Sequence, residues 1–218
     1  MQFAGLGFWG RMATVLAHLA APPYKGSLFL AKLSPAGYIA PSASICHENL
    51  VLGKNVFIDD RVVIYKNEAG GPVSIGDRSK IYRDSIIETG FGGSLIIGTR
   101  TNIQPRCQFS AYLGQIAIGS NVQIAPNCSF YPYSHGFDSN TPIKKQPLYT
   151  RGGITVDNDA WLGVGVIVLD NVHIGKGAVV GAGAVVTRDV PAGGIAAGNP
   201  ARVLKKRDGL SLDKEGKN

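Results

Sequence analysis

The segment VDNDAWLGVGVIVLDNVHIGKGAVVGAGAVV, residues 156–186, places a branched aliphatic residue at every sixth position. The positions are Val156, Leu162, Val168, Ile174, Val180 and Val186. If about three residues in ten were aliphatic, six successive hits would arise roughly once in a thousand trials, so the period reports structure.

The same period continues upstream in four groups of three: Leu52, Ile58 and Ile64; Ile75, Ile81 and Ile87; Ile97, Ile103 and Phe109; Ile118, Ile124 and Phe130. A small or slim residue follows most of these positions four residues later, as at Ser79, Cys107 and Ala160. Each hexad therefore predicts a short strand and a turn, with one large and one small side chain pointing inward. Three hexads, about 18 residues, make a three-sided coil that stacks on its neighbours at about 4.8 Å.

The predicted fold class is all-β, a parallel β-helix of about six to seven triangular coils. A β-sandwich is the alternative, but its strands would alternate and recur every 8 to 12 residues rather than at a fixed interval of six.

Interruptions of the period predict where loops leave the coil. From the third member of each group to the next group, the spacing lengthens from six residues to 11, 10, 9 and 26. Every insertion then departs from the same corner of the prism. The longest, residues 131–153, contains most of the stretch SFYPYSHGFD (129–138), and loops on a rigid scaffold commonly carry function.

The chain has three cysteines and no C-x-x-C pair, so neither a disulfide framework nor a zinc ribbon is predicted. Cys107 and Cys128 are 21 residues apart, the same distance as Ile97 and Ile118. We therefore expect the two cysteines to stack as reduced core residues in adjacent coils.

Charge suggests an anionic ligand. The 218 residues carry a net charge of +7, which suits nucleic acid, an anionic membrane surface or a phosphorylated molecule. The densest basic cluster is Arg202, Lys205, Lys206 and Arg207. Because no basic stripe is interleaved with aromatics, nucleic acid is not expected, and a phosphate-bearing small molecule is favoured.

The N-terminal region predicts a short amphipathic helix, since apolar residues recur at helical spacing before Pro22 and Pro23. These residues are Phe8, Met12, Val15, Leu16 and Leu19. The helix is interpreted as a cap over the open end of the β-helix or, alternatively, as a weak membrane-surface anchor within residues 1–33. Neither a signal peptide nor a membrane span is predicted.

Five short motifs, in a fixed order along the chain, resemble those of a known protein family. They are SHGFD (Ser134–Asp138), KQP (Lys145–Pro147), AWLG (Ala160–Gly163), VGAGAVVT (Val180–Thr187) and AGNPARV (Ala197–Val203). With the hexads, they resemble the hexapeptide-repeat acyltransferases, nearest the maltose, galactoside and polysaccharide O-acetyltransferase branch. The resemblance covers residues 39–207 and implies a left-handed coil, whereas ordinary parallel crossovers are right-handed.

The resemblance assigns His135 as the general base that removes a proton from the acceptor hydroxyl, a role worth roughly 10²- to 10⁴-fold in rate. It places acetyl-CoA along the outer face between subunits of a homotrimer. The implied cofactor-binding residues are Trp161, Gly163, Val164, Ala182, Thr187, Arg202 and Lys205. Backbone N–H groups near Gly163 are expected to hold the developing oxyanion, and Asp138 to orient the histidine ring.

The acceptor site departs from the family pattern. Gln104, Pro105 and Arg106 stand where related sugar acetyltransferases often carry an asparagine. Gln104, Arg106, Tyr133 and Asp138 are therefore the candidate substrate-binding residues, and the arginine suggests an acidic or phosphorylated acceptor.

His173 is a second departure, because it lies five residues after Val168 as His135 lies five after Phe130. The two histidines are hypothesised to approach in one column. No metal is expected, since His47 does not complete the zinc site of the related carbonic anhydrases.

The resemblance implies an acetyl-CoA-dependent saccharide O-acetyltransferase in surface polysaccharide or lipopolysaccharide synthesis, expected in the cytoplasm or peripherally at the inner membrane face. The alternatives are a xenobiotic or amino-sugar N-acetyltransferase of the same fold and a non-catalytic trimeric scaffold. The expected domains are a helical cap or anchor (1–38), the β-helix with its active-site loop 131–153 (39–200), and a basic C-terminal tail (201–218).

Overall fold

The structure, a computed structural model, describes residues 7–20 and 26–207. This part of the chain contains helices α1 (Phe8–Ala20) and α2 (Gly26–Leu33), followed by a stack of β-coils. The sequence predicted α1 and missed α2. In the described residues, no helix is long and apolar enough to cross a membrane.

Seven coils follow the helices along the chain. Coil 1 has β1 (Tyr38–Ile39), β2 (Ser44–Cys46) and β3 (Leu50–Leu52); coil 2 has β4 (Phe57–Ile58), β5 (Val63–Lys66) and β6 (Val73–Ile75); coil 3 has β7 (Lys80–Ile81), β8 (Ile86–Gly90) and β9 (Leu95–Ile97); coil 4 has β10 (Asn102–Ile103), β11 (Gln108–Tyr112) and β12 (Ile116–Ile118). Coil 5 has β13 (Gln123–Ile124), β14 (Ser129–Tyr131), the loop strands β15 (Ser134–His135) and β16 (Leu148–Tyr149), and β17 (Ile154–Val156); coil 6 has β18 (Trp161–Leu162), β19 (Ile167–Leu169) and β20 (Val172–Ile174); coil 7 has β21 (Val179–Val180) and β22 (Val185–Val186); β23 (Gly194–Ala197) and β24 (Arg202–Lys206) follow.

Three parallel sheets form the sides of the prism. Sheet A holds the first strand of each coil and ends in β23 and β24, sheet B holds the second, and sheet C holds the third. Register places Ile103 beside Ile124 in sheet A and Phe109 beside Phe130 in sheet B, each one coil apart. The predicted parallel β-helix of six to seven coils is confirmed; its left hand stays a prediction.

The core consists of the periodic residues. In coils 2 to 7 every predicted large inward position is buried, as are the small positions four residues later. Phe109 and Phe130 stack with ring centroids 4.5 Å apart and planes 7° apart. Because each coil rests directly on the next, glycine is required where backbones touch: a Cβ on Gly98 would lie 2.6 Å from the carbonyl carbon of Gly119.

The two stacked cysteines are confirmed. Cys107 and Cys128 are buried and free, and each thiol donates to a backbone carbonyl of the next coil, that of Ala125 and that of Gly163 respectively. The neighbouring Cys128 sulfur and burial raise the pKa of Cys107, so that thiol stays protonated.

All four insertions leave between a sheet B strand and the following sheet C strand, at what we call the B/C corner. This confirms the single loop-bearing edge. The longest insertion contains β15, a 3-10 helix (Ile143–Lys145) and β16. The other corners are called A/B and C/A.

Both ends of the coil stack are covered. At the N-terminal end, Leu30 and Ala31 of α2 pack with Tyr38, Ala40 and Phe57. At the other end, β24 pairs antiparallel with β23. Residues 202–206 therefore extend sheet A rather than forming a free tail, because their backbone groups complete its edge; residues 208–218 lie outside the described residues.

Candidate active site

His135 lies on a hairpin that projects from the B/C corner. Strands β15 and β16 pair antiparallel, with His135 opposite Leu148. The Gly136 N–H donates to the Pro147 carbonyl at 3.0 Å and closes the pair. The imidazole is exposed, so an acceptor hydroxyl can reach it from solvent.

Gln146, within the KQP motif, holds the tip of this loop together. Its Oε1 accepts from the Asp138 N–H at 2.8 Å, and its Nε2 donates to the carbonyls of Asp138 (2.9 Å) and Thr141 (2.6 Å). One amide side chain thus fixes three backbone groups. The sequence marked the motif but did not predict this positioning role.

Asp138 supports the same turn. Its Oδ1 accepts from the Asn140 N–H at 2.8 Å, an arrangement typical of aspartate in turns. Among the described residues, no hydrogen bond joins this carboxylate to His135. The structure therefore assigns the carboxylate to its own turn, and a role for Asp138 in orienting the ring stays a prediction.

An aromatic ladder runs along the B/C corner toward the hairpin. The ring centroids of Phe91 and Tyr112 are 5.1 Å apart, and those of Tyr112 and Tyr133 are 5.5 Å apart. Tyr133 was predicted to bind substrate, whereas Phe91 and Tyr112 were missed. Their spacing of 21 residues in each step, the same as that of the stacked cysteines, is the signal that could have found them.

Glu88 is a second feature that the sequence did not reveal. Its carboxylate accepts hydrogen bonds from the hydroxyls of Tyr65 and Ser110, which are its register partners in the coils on either side. The hydrogen bond to Glu88, followed by burial, raises the pKa of Tyr65 to about 12. Burial, then Tyr133 and Glu88, also raise the pKa of Tyr131. Register pairs Tyr112 of the ladder with Gly90, two residues after Glu88, so Glu88 lies near the aromatic ladder.

Replacing Glu88 with glutamine is expected to lower the pKa of Tyr65 from about 12 toward the ordinary value near 10. The amide carries no charge to oppose tyrosinate formation. Because the folded pKa is raised, the interaction stabilises the fold fully below about pH 10 and is lost as the pH rises through 12.

The measurement is the ultraviolet absorbance of tyrosinate during an alkaline titration. Tyr38, whose pKa burial raises to about 12, is an internal reference, since its titration should not move. Glu68→Gln, at an exposed glutamate of the same corner, is the matched control. A wild-type titration curve in the Glu88 variant would contradict the assignment.

The candidate cofactor residues gather on sheet A and the A/B corner. Trp161 is 53% exposed, and register continues its column through Val179 and Ile195 to Lys205. Arg202, opposite Ala197, lies on the same terminal strand. The indole and the basic side chains thus share one sheet, three strand spacings apart, or about 14 Å.

Gly163 has a packing role, and its predicted cofactor-binding role stays a prediction. A Cβ there would lie 2.7 Å from the Ala182 nitrogen of the next coil. Its N–H donates to the Val180 carbonyl at 2.8 Å, and the Gly165 N–H donates to Pro126 at 2.9 Å. These two donors belong to the coil-to-coil ladder, and an oxyanion role for the backbone N–H groups near Gly163 stays a prediction. Val164, 49% exposed, remains on the surface beside them.

Gln104 and Arg106 lie at the A/B corner, between β10 and β11. Arg106 Nε donates to Asn127 Oδ1 of the next coil at 2.9 Å. The A/B corner also carries Val164 and Ala182. Within one chain, these two predicted acceptor-binding residues therefore lie at the same corner as cofactor candidates, whereas His135 lies at the B/C corner.

Thr187 and His173 are separate from both groups. They line a cavity of about 550 Å³ with Asp189 and other residues of coils 5 to 7. His173 pairs in register with Thr155, and its Nε2 lies 2.9 Å from Asp157 Oδ2. The hypothesis that the two histidines share a column is wrong, because the hairpin carries His135 off the coil. Thr187 likewise lies away from Trp161.

Known proteins match the coil. Residues 153–188 match the family described as Bacterial transferase hexapeptide (six repeats). A 53-residue stretch is 47% identical to 2,3,4,5-tetrahydropyridine-2,6-dicarboxylate N-acetyltransferase of Staphylococcus aureus, covering 24% of this chain and 22% of that protein. The chain thus matches less than a quarter of the length of this curated relative.

Two solved structures share the fold. A variant of AntD, an N-acyltransferase from Bacillus cereus, in complex with dTDP-4-amino-4,6-dideoxyglucose and coenzyme A, has a TM-score of 0.57 at 21% identity, over 76% of this chain and 82% of that one. The polySia specific acetyltransferase NeuO has a TM-score of 0.56 at 23% identity, over 78% and 82%.

The stacked parallel coils define a β-solenoid protein. The coils are built from six-residue repeats, and residues 153–188, where the period is strictest, match the bacterial transferase hexapeptide family.

Proposed function

We propose that the protein transfers an acetyl group from acetyl-CoA to a saccharide hydroxyl. One observation carries this proposal: an exposed histidine stands on a hairpin fixed by Gln146, beside an aromatic ladder and a half-buried carboxylate. Aromatic rings offer flat apolar faces to sugar rings, and a carboxylate accepts hydrogen bonds from hydroxyls. The matched S. aureus N-acetyltransferase and the structural neighbours, AntD and NeuO among them, are named as acyl- or acetyltransferases, which supports the reaction class.

In the proposed reaction, His135 accepts the proton of the acceptor hydroxyl as its oxygen attacks the thioester carbonyl carbon. The new C–O bond forms and the C–S bond breaks. The sulfur leaves as a thiolate and receives the proton from the imidazolium. His135 therefore returns to its neutral form at the end of each cycle.

We place acetyl-CoA along sheet A, with Trp161 and Val164 toward the thioester end and Arg202 and Lys205 toward the phosphates. Guanidinium and ammonium groups suit phosphate oxygens. The proposed basic site is formed by β24, which the sequence had predicted to be a tail.

The two halves of this site lie apart within one chain. His135 projects from the B/C corner, whereas Trp161 lies on sheet A, the side of the prism opposite that corner. We therefore propose a homotrimer in which His135 of one subunit faces sheet A of the next, since a closed cyclic assembly brings unlike surfaces together. We assign the reaction to the cytoplasm, in keeping with free cysteines.

Transfer to an amine is the second candidate. Glu88 specifically favours it, because a carboxylate binds the ammonium group of an amino sugar more strongly than a hydroxyl. The AntD variant in complex with an amino sugar nucleotide supports this alternative.

The test is thiol release from acetyl-CoA across neutral sugars, amino sugars, nucleotide-linked sugars and oligosaccharides. Product treatment with hydroxylamine then distinguishes the chemistry, since it cleaves an acetyl ester and leaves an amide intact. A cleavable product is expected. A stable product would replace the first candidate with the second, and absence of both turnover and CoA binding would leave a scaffold.

A further inference from the structure

Helix α1 packs on the coil stack through its small residues and leaves its large apolar residues in solvent. Gly10 and Thr14 are buried, and Arg11 donates to the Ala43 carbonyl at 3.0 Å. Trp9 is 77% exposed and Leu19 79% exposed. The large exposed residues are Phe8, Trp9, Met12, Val15, Leu16 and Leu19.

At 100° per residue these six residues occupy an arc of roughly 120° on the helix. A surface helix ordinarily turns such a stripe toward the core. The helix lies on the coil stack, but its small-residue side forms the contact and the periodic apolar residues do not. The apolar stripe is therefore exposed and available for contact with something other than the coil stack.

Helix α2, which contacts α1, also leaves apolar side chains in solvent. Leu30 and Ala31 face the protein, whereas Phe29 and Leu33, one turn apart, are exposed. Neither helix contains an acidic residue. The two helices thus present large apolar side chains with only basic charges among them.

A basic groove of about 530 Å³ adjoins α2 on the outer face of sheet A. Four cationic side chains line it: Lys32, Arg78, Lys80 and Arg100. Within the described residues none of the four forms an ion pair. Leu28 and Phe57 form part of its apolar wall, so the groove matches an anion attached to a hydrocarbon.

We propose that the exposed stripe of α1, the exposed residues of α2 and the basic groove together dock on the anionic surface of a lipid bilayer. Trp, Phe and Leu of an interfacial helix insert at the boundary of headgroups and acyl chains, while nearby Lys and Arg attract anionic headgroups. The helices are too short to span, which fits binding on the surface.

Charge favours a membrane over a second copy of the chain as the occupant. Two copies meeting through this surface would bring two sets of cationic side chains together, which electrostatic complementarity disfavours. An anionic bilayer supplies the opposite charge. The docking surface belongs to coils 1 to 4 and the helices, so the hairpin of coil 5 stays outside it.

The experiment is flotation of the full chain with vesicles of phosphatidylcholine alone or with phosphatidylglycerol. We expect at least tenfold tighter binding to the anionic vesicles, weakening with salt. Trp9→Ser/Leu16→Ser and Arg78→Glu/Arg100→Glu should each lose at least tenfold. Lys176→Glu/Arg188→Glu, which makes the same charge change on exposed residues of the distant coils, should bind as the wild type does.

Three results would overturn the proposal. The first is wild-type protein that does not float with anionic vesicles, and the second is a distant-charge control that loses as much binding as the groove variant. The third is a change of oligomeric state in the Trp9/Leu16 variant without lipid, combined with no vesicle binding by the wild type. That result would assign the surface to contact with a second copy of the chain. Thiol release with a soluble acceptor should be unchanged in these variants, which separates this proposal from the acetyltransferase proposal on which it does not depend.

Discussion

Replacing His135 with alanine is expected to lower acceptor-dependent thiol release by at least about a hundredfold, the lower end of the range for a general base. An alcohol is a weak nucleophile near neutral pH, so the proposed attack depends on removal of its proton in the transition state. Among the described histidines, His47 and His173 form their ring hydrogen bonds elsewhere, with Thr89 and Asp157. The loss should therefore appear in kcat rather than in KM alone.

His173→Ala is the matched control, because His173 is also exposed but pairs with Thr155 and contacts Asp157 in sheet C. Its turnover should stay within about twofold of the wild type if it has no catalytic role. Circular dichroism should show that both variants keep the fold. Equal turnover in the wild type and the His135 variant would mean that His135 is only a turn residue. The main structural observation behind the proposed function would then be lost.

The coils could be predicted because their physics repeats. Each inward position recurs in the next coil, and the same preference for a branched side chain applies at each recurrence. The signal is therefore repeated along the sequence. The same repetition predicted the loop-bearing edge and the stacking of Cys107 on Cys128. A single deviation could not hide a signal repeated in every coil.

The candidate site was only partly predictable, because its parts do not repeat. Tyr65, Glu88 and Ser110 lie in adjacent coils but are separated by 23 and 22 residues, since the insertions differ in length. Whether these three side chains become neighbours depends on the length of the insertion that precedes each strand. Gln146 likewise acts through the path of one loop, which no period describes.

The N-terminal helix shows a different limit. Its periodicity predicted an apolar face correctly, but periodicity alone does not say what that face contacts. The structure packs Gly10 and Thr14 instead. Side-chain size decided the contact: small residues let the helix approach the end of the coil closely, and the bulky stripe lies on the other side.

The largest stability effect is expected from Phe109→Ala. Phe109 is fully buried, stacks on Phe130 and pairs in register with Ile87 on its other side. Truncation of a buried phenylalanine costs about 3–5 kcal/mol, with the larger values at sites that cannot collapse. This site is of that kind, because backbone hydrogen bonds between coils fix the width of the prism and prevent the walls from closing on the cavity.

Phe91→Ala is the matched control, since Phe91 is an aromatic residue of the same edge but is 48% exposed; its loss should be about 1 kcal/mol or less. The measurement is chemical denaturation at a fixed protein concentration without CoA, because assembly and ligand binding add to apparent stability. A loss below about 1.5 kcal/mol for Phe109→Ala would mean that the coil relaxes inward. The hexad period would then specify the path of the chain more strictly than the width of the prism. The assumption that the hairpin of His135 stands on a rigid scaffold would have to be reconsidered.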